Sequence, residues 1–265
     1  MMSDVDTAFD TGVLGEITGL GAEAVTLSDT NIASASDLNT LDGLTTGVIS
    51  AVDVTTMTGT LSDLNDAYAS NGITGLGNET LTLGDTGSVG ASDLNTLDSK
   101  TTGVIDAGNV TTITGTFAAI NSAYGSAGLS GLGAEAITTS DTTVTAADLN
   151  TLNNYTSRVV NADSLTTITG TIADVNTAFA ADGATPATIT GLGDQAVTLT
   201  DTNGLAADMN ILNSSTTGTT GLIDGSTIAV IEGTAAAINS VYDGKATSGF
   251  GSGFGSGSGF GSGFG

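Results

Sequence analysis

The sequence predicts an α/β, β-rich solenoid of about eight stacked coils of ~28 residues, each strand–short helix–strand, paired into four repeats of ~56 residues. Three observations predict it. ITGLG begins at Ile17 and Ile73, returns as LSGLG at Leu129 and recurs as ITGLG at Ile189, at spacings of 56, 56 and 60 residues. Within each repeat an aliphatic residue followed by Asn occurs twice, which halves the period. Between these pairs lie segments that alternate Thr with apolar residues, the mark of a half-buried strand. The longer last spacing fits an insertion around ATPAT, which holds Pro186, the only proline.

The elements follow in order. DVDTAF, starting at Asp4, matches DVNTAF at Asp174, so residues 1–16 read as a partial N-terminal coil. Residues 17–247 hold the four tandem repeats of one solenoid. AVTLSD (24–29), VTTMTGT (54–60), TLTLGD (80–85), VTTITGT (110–116), LTTITGT (165–171) and AVTLTD (196–201) read as strands. Ser or Thr then precedes Asp by three residues, as in Ser34…Asp37 and Thr60…Asp63. Ser and Thr suit a helix N-cap, and an acid in the first turn complements the helix dipole. Asp93, Asp148 and Asp208 hold the same place as Asp37. Apolar positions such as Leu64, Ala67 and Tyr68 then mark one helix face. Gly43, Gly72, Gly125, Gly183 and Gly244 are expected as left-handed stops. GVI (47–49) and GIT (72–74) read as second strands.

The Asn of each pair forms a ladder: Asn39, Asn65, Asn95, Asn121, Asn150, Asn176, Asn210 and Asn239. Buried once per coil, such an Asn can hydrogen-bond the turns of its neighbours, where backbone groups must find partners. A merely exposed polar helix residue is the alternative.

Composition excludes several functions. Lys100, Arg158 and Lys245 are the only basic residues against 28 acidic ones, for a formal charge of −25. Nucleic-acid binding needs basic surface, and anionic lipid repels such a chain. Cys and His are absent, which removes disulfides, thiolate sites and Ser-His-Asp or Cys-His catalysis. An enzyme is therefore not expected, and no apolar run approaches the ~20 residues of a membrane span. MMSDVDTAFDTG has neither a basic n-region nor an apolar core, so no secretory signal is read there.

Asp29, Asp85, Asp141 and Asp201 occupy one position per repeat, just after a strand. A carboxylate ladder can bind Ca²⁺. Turn and helix-cap aspartates explain the same spacing without a metal, and no cofactor is expected. GLGAE (19–23) and GLGNE (75–79) are glycine-rich but lack a phosphate-binding fingerprint. Thr55, Thr111 and Thr166 line up as an ice-binding row would, or simply as strand residues facing solvent.

From Ser248 the chain becomes a Gly/Ser/Phe tail, expected to be flexible, whose Phe250, Phe254, Phe260 and Phe264 can act as stickers. An artificial tag is the other reading. Neither end of the repeat array offers a polar cap, which an isolated solenoid normally needs. Open edges invite another copy to stack head to tail, or mark a length of a longer array.

ASDLNTLDGLTTGVI, VTTITGT and ITGLGNETLTLGDT resemble the Thr/Ala/Gly-rich tandem repeats of surface and secreted proteins of marine cyanobacteria. The LNxLDG core is also similar to repeats of phage tail fibres and other virion proteins. The resemblance implies an extracellular or cell-surface, structural or adhesive role, and supplies no catalytic residue. The sequence therefore predicts a protein that self-assembles with copies of itself into a filament or surface layer. The alternative is an adhesin or phage-fibre-like module that recognises glycans or a cell surface.

Overall fold

The computed structural model of the chain describes residues 20–28, 33–216 and 222–247. Asp29, the partial coil at 1–16 and the tail with its four phenylalanines lie outside these residues. The fold is α/β, with parallel strand pairs and strands alternating with short helices. Two compact units divide it, Met1–Thr138 and Thr139–Gly265.

Among the described residues the first unit holds four helices: α1 (Ala35–Leu44), α2 (Leu61–Ala69), α3 (Ala91–Asp98) and α4 (Phe117–Gly125). The second holds α5 (Ala146–Tyr155), α6 (Ile172–Asp182), α7 (Ala206–Ser215) and α8 (Ala235–Thr247). Within each unit every helix packs on the next. Sequence chemistry starts most of them. The amide of Asp63 donates to Thr60 Oγ1 at 3.1 Å, and Thr60 Oγ1 donates back to Asp63 Oδ2 at 2.7 Å. Thr171 and Asp174 repeat this reciprocal cap at 3.1 and 2.7 Å. Ser34, Thr116 and Thr145 accept one first-turn amide each. Each helix has only about three turns, too short to persist alone. What holds it is a stripe three residues apart: Ala35, Leu38 and Leu41 on α1, Ala91, Leu94 and Leu97 on α3, Ala146, Leu149 and Leu152 on α5, all buried.

Strand partners set the register. In the first unit Ala33 pairs with Met57, Met57 with Leu81, Leu81 with Ile105 and Ile105 with Leu129, in one five-stranded parallel sheet. Val25, Ile49 and Ile73 form a second ladder. Every step in both ladders is 24 residues, shorter than the ~28 expected from the Asn spacing. In the second unit Val144, Ile168, Val197 and Ile223 align in a four-stranded sheet. Met57, Leu81, Ile105, Ile113, Ile168 and Ile223 have no exposed surface, so like apolar residues stack on like down each ladder.

Two expectations are corrected. Short strands run straight into α1, α3, α5 and α7 (Ala33–Ser34, Ser88–Gly90, Thr143–Thr145 and Asn203–Leu205), so these modules carry an extra strand, while those of α2, α4 and α6 keep the expected strand–helix–strand order. Each extra strand exposes at most one apolar residue to the pattern, too few to alternate. The glycine stops are not left-handed either. Gly43, Gly125 and Gly244 lie inside helices, Gly183 is a right-handed cap, and Gly72 has no positive φ. Helices α1, α2, α4 and α5 instead turn extended at Thr45, Ser70, Ser126 and Thr156. Those hydroxyls accept the amide two residues on: Gly47 on Thr45, Gly72 on Ser70, Gly128 on Ser126 and Arg158 on Thr156, all at 2.9–3.0 Å. Glycine serves close approach there. A Cβ on Gly72 would sit 2.0 Å from Asp42 Oδ1, and one on Gly128 2.1 Å from Asp98 Oδ1.

Candidate functional site

The recurring chemistry gathers at the GLG turns. Gly75 and Gly77 have φ of +90° and +142°, Gly131 and Gly133 +81° and +116°, Gly191 and Gly193 +89° and +137°. Only glycine takes these conformations at no steric cost. Successive amides then point inward and form an anion-binding concavity. The protein fills it with its own side chain. Glu79 Oε2 accepts from the amides of Gly77 and Asn78 at 2.8 and 3.1 Å. Glu135 accepts from Gly133 and Ala134 at 2.9 Å. Glu23 accepts from Gly21 and Ala22 at 2.5 and 3.0 Å. Because the concavity is occupied, these turns offer no phosphate site.

The preceding helix completes the joint. The Tyr68 hydroxyl of α2 donates to Glu79 Oε2 at 2.5 Å, and that of Tyr124 on α4 donates to Glu135 Oε1. The following helix exit closes it, with Thr101 Oγ1 donating to the Glu79 carbonyl at 3.1 Å. Glu79 and Glu135 are 0% and 1% exposed. A buried carboxylate is held by such donors, and Glu79 Oε1 has no partner among the described residues. In the second unit Phe179 stands where Tyr68 and Tyr124 do, and Gln195 where Glu79 and Glu135 do. Gln195 takes the Gly193 amide at 2.8 Å and donates its own NH₂ to the carbonyls of Leu165 and Gly191 at 3.2 and 2.7 Å. Where the hydroxyl is lost, the acid becomes an amide.

Burial, and then the hydrogen bond and charge of the glutamate, push both tyrosines well above the ordinary tyrosine value. The unfolded chain ionises near pH ~10. The folded state keeps these protons longer, so their contribution to stability is complete below that pH and is lost as pH rises through the folded values. Both rings are half-buried, and solvent moderates the effect. The expected result is a melting temperature that falls as pH rises above ~10, with less of that fall in Tyr68→Phe. Thermal melts by circular dichroism check it.

The Asn residues bridge helices. Asn39, Asn65 and Asn95 donate to the carbonyls of Asp63, Asp93 and Ala119 at 2.8, 3.3 and 2.8 Å. Asn150, Asn176 and Asn210 donate to Asp174, Asp208 and Ala237 at 3.0 Å. The acceptor is always the third residue of the next helix. These six are half-buried rather than buried, while Asn121 and Asn239 are exposed. A helix surface packed against one neighbour leaves its flank open to water.

Two of the candidate calcium aspartates accept backbone amides. Asp85 Oδ2 accepts from the first amide of α2, Leu61 N, at 2.7 Å, and Asp201 Oδ2 from Ile172 N of α6 at 2.7 Å. Asp141 accepts from Thr139 Oγ1 at 2.8 Å. Asp85 and Asp201 thus each cap a helix about one register step back in the chain. Asp37 and Asp148 lend their amides to Ser34 and Thr145, whereas α3 and α7, with Asp93 and Asp208, have no side-chain cap. No three acidic side chains gather as a metal site among the described residues. A groove of about 330 Å³ beside α2 is lined by Asp66, Asp85 and Asp93. In the Thr row, Thr111 and Thr166 donate to the carbonyls of Thr86 and Thr142 at 3.2 and 3.0 Å. No described helix is long and apolar enough to cross a membrane.

Sequence reasoning passed over the Tyr–Glu joints. The available signal was an aromatic residue eleven positions before Glu79 and Glu135, with Tyr→Phe accompanying Glu→Gln in the next copy. Comparison with family models, curated proteins and solved structures finds no match.

Proposed function

We propose that the chain is a structural repeat protein whose strand–helix modules stack as the coils of a solenoid, and whose copies assemble head to tail into an extracellular filament or surface layer. One observation carries the reading. Ile231 in the strand Val230–Glu232 and Ile238 on α8 are partly exposed, while their counterparts Ile168 and Val175, one repeat step earlier, are 0% exposed. Val230 and Tyr242 are 47% and 52% exposed beside them. A face that is core in one module and bare in another has the shape and chemistry of a further module. Stacking on it is heterologous, so one contact repeats without limit unless the rotation closes a ring. Edge strands offer unpaired backbone groups for the same purpose. The charge of −25 keeps the sides of such a polymer from clumping.

Sedimentation velocity of the full chain across a concentration series, with negative-stain microscopy of the heaviest sample, tests it. Species that grow with concentration and appear as filaments or sheets are expected. A single monomeric species at every concentration overturns the reading.

A further inference from the structure

The GLG joints carry the assembly reading one step further, to the residues that join one copy to the next. Each internal joint needs two halves. A helix supplies an aromatic residue, and the next turn supplies a Glu or Gln whose side chain fills the amide concavity. Tyr68 meets Glu79 and Tyr124 meets Glu135, hydroxyl to carboxylate. Phe179 and Gln195 hold the same two places, and the amide finds backbone acceptors instead. A carboxylate therefore comes with a hydroxyl, and a bare ring comes with an amide. That rule is chemical: a buried carboxylate short of a donor is costly, while an amide satisfies itself.

Two residues break the rule, in complementary ways. Tyr242 on α8 aligns with Tyr68 and Tyr124, in SVYDG against DAYAS and SAYGS. Tyr242 is 52% exposed, and its hydroxyl has no hydrogen bond among the described residues. Glu23 sits in the turn GLGAE with its amide concavity already formed. Backbone N–H groups of Gly21, Glu23 and Ala22 hold its carboxyl below the usual carboxylate range. It is only half-buried where Glu79 and Glu135 are fully buried; Thr45 Oγ1 donates to its backbone carbonyl at 2.8 Å, but no hydroxyl donates to its carboxylate among the described residues. The aromatic residue that precedes it in the sequence, in DVDTAF, is Phe9, which has no hydroxyl to give. Yet position 23 is Glu and not Gln.

We infer that these are the two halves of one joint between copies: the Tyr242 hydroxyl of one copy donates to the Glu23 carboxylate of a second copy, as Tyr68 does to Glu79 within the chain. The inference rests on the assembly reading and names its contact. The occupant of the α8 face is thus the GLGAE turn of another copy, and the bare apolar residues Val230 and Ile231 are covered in the same step. Phe179 and Gln195 also supply the means of testing it, since the chain itself places a ring without a hydroxyl and an amide at this pair of positions.

The test is sedimentation velocity on the full-length wild type, Tyr242→Phe, Glu23→Gln and the double variant, with thermal melts of dilute samples to verify unchanged folding. Tyr242→Phe buries a carboxylate without its donor, and is expected to raise the concentration for half-assembly about tenfold or more. Glu23→Gln weakens assembly less. The double variant, which recreates the Phe–Gln pair, is expected to regain most of the loss. Wild-type assembly with unchanged midpoints in both single variants overturns the inference and leaves the assembly reading standing. Losses that add in the double variant also overturn it. A wild type that never assembles overturns both.

Discussion

Alanine at Gly103 is expected to destabilise the first compact unit by about 3 kcal/mol, because overpacking against backbone finds no flexible neighbour to yield. The new Cβ would lie 2.1 Å from the Glu79 carbonyl oxygen and 2.5 Å from its carbon. Relief requires moving the GLGNE turn, which breaks the bonds from Thr101 Oγ1 to Glu79 O at 3.1 Å and from Gly103 N to Thr101 Oγ1 at 3.0 Å. Gly125 is the control. It ends α4, has no positive φ, and a Cβ there meets nothing within 4 Å. Gly125→Ala is expected to be neutral or to stabilise by up to ~1 kcal/mol. Urea denaturation of both variants checks the pair. Were Gly125 the left-handed stop that its place in the sequence suggests, alanine would harm that position instead.

Glu79→Ala is the second large loss, expected at about 3–5 kcal/mol. It strands the Tyr68 hydroxyl and the amides of Gly77 and Asn78, and it empties a site that is 0% exposed. Each buried donor left without an acceptor costs about 1–3 kcal/mol. Urea denaturation followed by circular dichroism measures the loss. A cost below about 1 kcal/mol would show that the turn holds its shape without the carboxylate.

Much of the secondary structure was legible, and for identifiable reasons. Thr60…Asp63 and Thr171…Asp174 are local signals, and the reciprocal caps they announce form inside one turn. The alternation in VTTITGT placed the strands Thr112–Gly115 and, through LTTITGT, Thr167–Gly170. What failed was non-local. Gly103 is glycine because of a carbonyl 24 positions earlier, and Asp85 caps a helix that Thr60 also caps. The 24-residue register that brings these groups together is invisible to a count of Asn spacings, which also includes the extra strand before α3. The left-handed turn is the most familiar use of glycine, whereas Gly47, Gly72, Gly103 and Gly128 are set by close approach. The Tyr–Glu joints were hidden by the same distance. Comparing internal copies shows them, because Phe179 and Gln195 change together.

The central claim is that modules of different copies stack on α8 and the strand Val230–Glu232. Hydrogen exchange read by mass spectrometry tests that surface directly, on the full chain at concentrations below and above assembly. Peptides covering 228–243 and 20–28 are expected to gain protection as concentration rises, while the interior peptide 165–180 keeps the same exchange throughout. Unchanged exchange at 228–243 in samples that have assembled would contradict the account, because the copies would then be meeting somewhere else.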